Sequence, residues 1–223
     1  VVLEIGKQMS EISIEGTTIT AGAGAMLSAI ASKAAAQELT GLEFASGIPG
    51  SLGGAVVMNA GAYGGEMKDV LTEVTVLTPE GTFLTLPVAE LDLSYRHSII
   101  PERGYLVVSA VLELYPGKAE EIRAIMDDLK EKRVSKQPLE YPSAGSTFKR
   151  PEGYFAGKLI QDAGLRGFQV GGAQVSEKHC GFVINRDHAT SADICNLMEQ
   201  VSEIVFEKFG VRLEAEVKKI GEF

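Results

Sequence analysis

The sequence predicts an α+β protein in two parts. The β-prone segments come as hairpins, and strands and helices do not alternate as the clean βαβ units of a doubly wound dinucleotide fold. The composition shifts near residue 116, from a strand- and glycine-rich front part to a more charged back part that mixes helix and strand. Eight of the 25 glycines fall between Gly41 and Gly65, in the run GLEFASGIPGSLGGAVVMNAGAYGG. A domain boundary is therefore expected at 115/116, giving residues 1–115 and 116–223.

Taken in order, the chain opens on Val1 as if inside a strand. Ile12 and Ile14 alternate with polar residues, Glu15-Gly16 turns, and Thr17 to Ala21 resumes, which makes a hairpin. Residues 25–38 are alanine-rich with apolar side chains at helical spacing. The glycine-rich stretch follows and reads as an ordered loop. It is too apolar for a linker, and its glycines suit positive φ or close approach to something flat or phosphorylated; the plainer alternative is a tightly packed connection between core elements. Residues 70–77 and 82–86 flank Pro79-Glu80-Gly81 as a second hairpin, and residues 105–114 form a strand. A helix is expected over 119–133, a proline-bounded loop over 135–153, a short helix over 154–163 ended by Gly164, and strands at 168–170 and 181–184. Thr190 to Asp193 reads as the start of a helix that Gly210 stops, and residues 212–219 alternate as a strand.

Bulk composition narrows the function. The 45% apolar content can build a core, and the net charge of −9 disfavours nucleic acid or an anionic membrane as partner. No apolar run is long enough to span a bilayer, the first residues do not form a signal peptide, and Cys180 and Cys195 match no metal or redox spacing. The scattered His97, His179 and His188 make a metal site improbable.

Four features could carry chemistry. Arg96, in Ser94-Tyr95-Arg96-His97-Ser98, can hold a carboxylate or a developing enolate bidentately, or make a surface salt bridge. The small-residue cluster from Ser143 to Thr147 offers a serine to a cavity, or is a simple turn. Glu214 and Glu216 point the same way on a strand, toward a site or toward solvent. Between Lys130 and Arg150, six cations face two carboxylates in a chain that is acidic overall, which suits a small anionic ligand such as a diphosphate; a solvated helix end explains Lys130 and Lys132 more simply.

The segments LEFASGIPGSLGGAVVMNAGAYG, SYRHS, SAGSTFKRP, GLRGFQVGGAQVSEKHCGFVIN and LEAEVKKIG together resemble the MurB family in order and spacing. These are the UDP-N-acetylenolpyruvoylglucosamine reductases, and the chain is similar to the shorter, type II-like members. The resemblance implies an FAD-binding region of the vanillyl-alcohol-oxidase (PCMH-type) fold followed by a substrate-binding domain. It implies a cytoplasmic bacterial flavoenzyme of peptidoglycan synthesis, with noncovalent FAD and NADPH as co-substrate, reducing UDP-N-acetylglucosamine enolpyruvate to UDP-N-acetylmuramate.

Carried over position by position, Ser146 matches the proton donor to the carbon beside the substrate carboxylate, Arg96 the enolate-stabilising arginine, and Glu216 the active-site glutamate. Tyr95, Arg133, Lys136, Arg150 and His179 match contacts to the UDP-sugar; His179 stands where longer relatives have glutamine, and Arg150 where they have asparagine. The flavin is expected along Gly47, Ile48, Pro49, Gly50, Ser51, Gly53, Gly54, Asn59 and Gly61. Family members carry a further small subdomain before the segment that matches Val1, with a Gly-Ser-Asn loop gripping the flavin pyrophosphate. The resemblance thus implies a natural protein longer than this sequence. The alternative expectation is a fragment that holds the UDP-sugar as a binding module without catalysis.

Overall fold

The computed structural model describes residues 4–221, and within it the chain divides into two compact units, Val1–Lys132 and Arg133–Phe223. The strand-like opening at Val1 lies mostly outside the described residues, and residues 4–6 have no regular structure.

In the first unit, β1 (Ile12–Glu15) and β2 (Thr18–Gly22) form the expected hairpin, with Glu15 opposite Thr18 and Gly16 at φ +63 in the turn. The helix α1 (Leu27–Ala36) buries Leu27, Ile30, Ala31 and Ala34, one apolar stripe at helical spacing. Then come β3 (Leu39–Thr40), α2 (Leu52–Val57), β4 (Gly61–Ala62), β5 (Gly65–Glu66), β6 (Leu71–Leu77), β7 (Phe83–Pro87), β8 (Leu106–Glu113) and β9 (Tyr115–Pro116). Five strands make an antiparallel sheet in the order β1-β2-β8-β6-β7, while β3 pairs β9 and β4 pairs β5 as short ladders. The β8 strand is central because its run of Val, Ala and Leu tolerates burial, with Ala110 and Leu112 almost fully enclosed. Ile19, Ile30, Leu52, Val74 and Leu112 share this core, each contributing about 1.5–3 kcal/mol of transfer free energy.

The glycine-rich stretch is not a loop throughout. It contains a 3-10 turn at Glu43–Ala45, the helix α2 and the β4-β5 ladder. Leu52, Ala55 and Val56 supply a buried helical stripe, and that burial overrides the poor propensity of Gly53-Gly54. Gly53 is required by close approach: a Cβ there would sit 3.0 Å from the Cβ of Ala23 and 3.2 Å from its carbonyl.

The long helix α3 (Ala119–Lys136) runs three residues beyond the expected Arg133, and the division between the units falls within it. The second unit then holds β10 (Ser143–Ser146), α4 (Ala156–Asp162), β11 (Gln169–Val170), β12 (Ala173–Val175), β13 (Phe182–Asn185) and α5 (Ser191–Phe209). Its antiparallel sheet is ordered β10-β13-β12-β11. Leu197, Met198, Val201 and Val205 on α5 form a core with Leu159, Ala173 and Val175. Thr190 and Asp193 make a reciprocal capping box at the start of α5, and Gly210 ends it at φ +69.

The expected strand over 212–219 is reduced to one bridge, Phe148 to Ala215. Lys149 N donates to the Glu214 carbonyl at 2.8 Å and Glu216 N to the Thr147 carbonyl at 2.9 Å. Leu213 is buried, but Arg212, Glu214, Ala215 and Lys218 are exposed, so the segment lacks an apolar face that would extend the ladder. Conversely, β10 sits inside the proline-bounded loop and β12 in a stretch with no strand expected.

Candidate active site

The stretch 47–54 presents one packed side and one open side. Leu27 N donates to the Gly50 carbonyl, Leu52 N to Ala25 and Gly53 N to Ala23, at 2.8–3.1 Å, which pins the packed side to the start of α1 and the end of β2. On the other side Gly47, Pro49 and Gly54 are exposed. A Cβ at Gly50, where φ is +146, would meet nothing within 4 Å, and one at Gly54 would meet only Ser51 Oγ at 4.0 Å. An apolar backbone open in this way fits the flat face of a flavin. Gly61 is different: a Cβ there would lie 2.8 Å from Glu66 Cβ and from the Gly65 carbonyl, so its lack of a side chain serves the β4-β5 ladder.

Asn59 is almost completely buried at φ +41. Its Nδ2 donates to Glu66 Oε2 at 2.6 Å and to the Ser94 carbonyl at 3.2 Å, and its Oδ1 accepts from Lys68 N at 2.9 Å. The side chain therefore braces the protein itself, and this role was not foreseen from the sequence.

Tyr95 and Arg96 occupy the tip of a two-residue turn closed by reciprocal Ser94–His97 backbone hydrogen bonds of 3.2 and 3.3 Å. Arg96 takes φ +56, a conformation uncommon outside glycine and suggestive of a functional constraint. Its guanidinium lies 5.0 Å from the centroid of the exposed Tyr95 ring. Ser98, also buried, donates from Oγ to the Val57 carbonyl at 2.7 Å.

In the second unit, Ser146 ends β10 beside an irregularity in its pairing with β13, and Gly145 sits at φ +86. Thr147 is buried next to it; its N–H donates to the Gly181 carbonyl at 2.8 Å, and its Oγ1 accepts from Val183 N at 2.9 Å. Ser146 itself is exposed. The Phe148–Ala215 bridge sets the Glu216 backbone against Thr147, so serine and glutamate sit on paired segments. Glu214, the other carboxylate of that pair, forms an ion pair with Lys149.

Of the six cations in the basic stretch, Lys132 and Lys149 are engaged by Asp128 and Glu214. Arg150 lies over the Phe155 ring, 3.9 Å from its centroid. The His179 ring packs edge-on to Phe182, and its Nδ1 accepts from Gly181 N at 3.1 Å. Burial holds the His179 pKa below its ordinary value, and the nearby Lys136 charge pushes the same way against a backbone hydrogen bond. Lys136 and His179 thus share one electrostatic neighbourhood. Among the described residues no group of three or more His, Cys, Asp or Glu side chains could hold a metal, and no helix is long and apolar enough to cross a membrane.

An antiparallel α+β unit with an open glycine wall, joined in sequence to a second α+β unit bearing a serine, a glutamate and cations, fits a flavoprotein oxidoreductase, the class to which the relatives belong. Residues 1–87 match the family described as FAD binding domain, and residues 137–220 match the C-terminal domain of UDP-N-acetylenolpyruvoylglucosamine reductase. The UDP-N-acetylenolpyruvoylglucosamine reductase of Agathobacter rectalis is 62% identical over 234 aligned positions, covering all of this chain and 74% of that protein. The reductase of Lachnoclostridium phytofermentans is also 62% identical, over 93% of this chain and 67% of that protein. The crystal structure of the MurB reductase from Thermus caldophilus matches with a TM-score of 0.78 at 38% identity, covering 89% of this chain and 71% of that one. The chain belongs to the MurB family of UDP-N-acetylenolpyruvoylglucosamine reductases.

Proposed function

We propose that the protein reduces UDP-N-acetylglucosamine enolpyruvate to UDP-N-acetylmuramate at the expense of NADPH, a step of peptidoglycan synthesis in the bacterial cytoplasm. In this reading residues 1–115 belong to the flavin-binding region and residues 116–223 to the substrate-binding domain. The observation that carries the reading is the pairing of the Ser146 segment with the Glu216 segment through Phe148 and Ala215. Two groups able to handle a proton are thereby placed on neighbouring segments joined by one bridge.

FAD, when bound, supplies the hydride chemistry between NADPH and the substrate. Gly47, Ile48, Pro49, Gly50, Ser51, Gly53 and Gly54 would hold it. Ser146 donates the proton to the carbon beside the substrate carboxylate. A serine hydroxyl is a weak acid, so it serves only a strongly basic carbon held within hydrogen-bond reach. Arg96 balances the negative charge that develops on the enolate with a planar, permanently charged fork. Glu216 assists the enol as acid or hydrogen-bond partner. Tyr95, Arg133, Lys136, Arg150 and His179 hold the UDP-sugar, the cations against its diphosphate.

The test is NADPH oxidation by the flavin-loaded protein with and without the UDP-enolpyruvyl sugar. The rate should rise steeply with the sugar, and UDP-N-acetylmuramate should accumulate. Sugar-independent oxidation, or tight UDP-sugar binding in calorimetry without turnover, would replace this reading with that of an oxidase or a binding module.

A further inference from the structure

We propose that Asn59 is a positioning residue for Arg96, acting through the carbonyl of Ser94. The proposal rests on the reading of Arg96 as the enolate-stabilising group. Three observations carry it. The buried Asn59 is the hub of a polar cluster that engages both of its N–H donors and its oxygen: Glu66 Oε2 and the Ser94 carbonyl take the two donors, and Lys68 N–H serves the oxygen. The amide orientation is settled by this set, because Glu66 and the carbonyl only accept and the backbone N–H only donates. Second, the Ser94 carbonyl also accepts from His97 N, so the Asn59 bond is made at the hinge of the turn that presents Tyr95 and Arg96. Third, the far side of that turn has its own tether, from Ser98 Oγ to the Val57 carbonyl. Both tethers end on residues at the close of α2, the helix that the glycine wall leads into.

This arrangement answers a physical problem. A turn with a non-glycine residue at φ +56 is held in a sparsely populated conformation and persists only when its surroundings over-determine it. Two partly buried hydrogen bonds, one on each limb, provide that constraint. Because both come from the close of α2, into which the glycine wall leads, the arginine is registered to that helix and not merely to the sheet. A displacement of about 1 Å in such a group costs on the order of a hundredfold in rate.

Asn59→Asp keeps the acceptor for Lys68 but removes the donor to Ser94 and sets a carboxylate against Glu66. Adding Glu66→Gln restores a hydrogen bond between positions 59 and 66 with reversed polarity, yet leaves the Ser94 carbonyl without its side-chain donor. For the double variant the thermal midpoint should return toward wild type. Turnover of the UDP-enolpyruvyl sugar should stay down by about tenfold or more, while flavin reduction by NADPH stays within about twofold of wild type. Amide exchange of residues 94–98 should be faster than in the wild type. Ser98→Ala should slow the same half-reaction, and it keeps the test open if the double variant does not fold. Wild-type turnover and wild-type exchange in the stable double variant, or in Ser98→Ala should the double variant not fold, overturn the proposal. Arg96→Lys is the control for the parent reading: if it turns over normally, the role of Arg96 is wrong and that reading falls first.

Discussion

The backbone N–H of Glu216 donates to the carbonyl of Thr147 at 2.9 Å, which places the glutamate in register with the residue that follows Ser146. Thr147 is locked to β13 through both its N–H and its hydroxyl. The backbones of Ser146 and Glu216, the proposed proton-handling pair, are therefore set by neighbouring main-chain hydrogen bonds.

That mounting separates catalysis from stability. Ser146 is exposed, so Ser146→Ala should change stability by no more than about 0.5 kcal/mol. NADPH should still reduce the flavin, while sugar-dependent reoxidation falls by about 10²–10⁴. Stopped-flow absorbance of the two half-reactions checks this. Equal loss in both halves would argue against a proton-donor role.

Gly54 offers a direct test of the flavin wall. Its side is open, the nearest atom to a built Cβ being Ser51 Oγ at 4.0 Å, and it lies inside α2. Gly54→Ala should thus keep the apo-protein as stable as wild type or raise it by about 0.5–1 kcal/mol, since alanine favours the helix. FAD affinity should fall, by about tenfold, if the cofactor lies against that backbone, because a methyl group would then stand in its place. Thermal melts and flavin-fluorescence titration measure the two effects separately. Unchanged FAD affinity would remove Gly54 from the cofactor site.

The division between what was legible and what was not follows interaction range. Hairpins with explicit turn chemistry, such as Glu15-Gly16 and Pro79-Glu80-Gly81, and the alanine-rich α1 could be read locally. So could α5, whose Thr190–Asp193 capping box and Gly210 stop are short-range signals. The helix α2 could not, because Gly53-Gly54 argues against a helix and only packing on Ala23 and β8 makes one. The strand over 212–219 alternated correctly but found a single bridge partner. At the site, the motifs carrying Ser146, Arg96 and Glu216 were visible as sequence. The turn that lifts Arg96, and the Asn59 cluster behind it, depend on contacts across 35 residues that no local pattern encodes.

Gly172 should be among the least replaceable positions of the second unit. A Cβ there would lie 2.0 Å from the Asp187 carbonyl and 2.6 Å from Ala189 N, both backbone atoms that cannot swing aside. Gly172 also receives Arg186 N and Asp187 N on its carbonyl, at 2.9 and 3.1 Å, so the approach is held from both sides. Gly172→Ala should cost about 1–3 kcal/mol or more by overpacking, seen as a lower urea midpoint. The solvent-facing Gly153, where nothing lies within 4 Å of a built Cβ but φ is +74, should cost less and serves as comparison.

His179 gives a pH signature of known sign. Its folded pKa is lowered from 6.5, chiefly by burial, with the Lys136 charge acting in the same direction. The unfolded chain therefore binds the proton more readily, and unfolding takes up protons in the window below about 6.5. The stability contributed by the neutral ring is complete above that value and is lost as the pH falls through the window toward the folded pKa. His179→Gln has no titrating group and should flatten this part of the stability–pH curve, while keeping a side chain able to hydrogen-bond a UDP-sugar. Urea midpoints between about pH 5 and 8 for both proteins measure the difference. An identical slope in the variant would assign the acid sensitivity to another group.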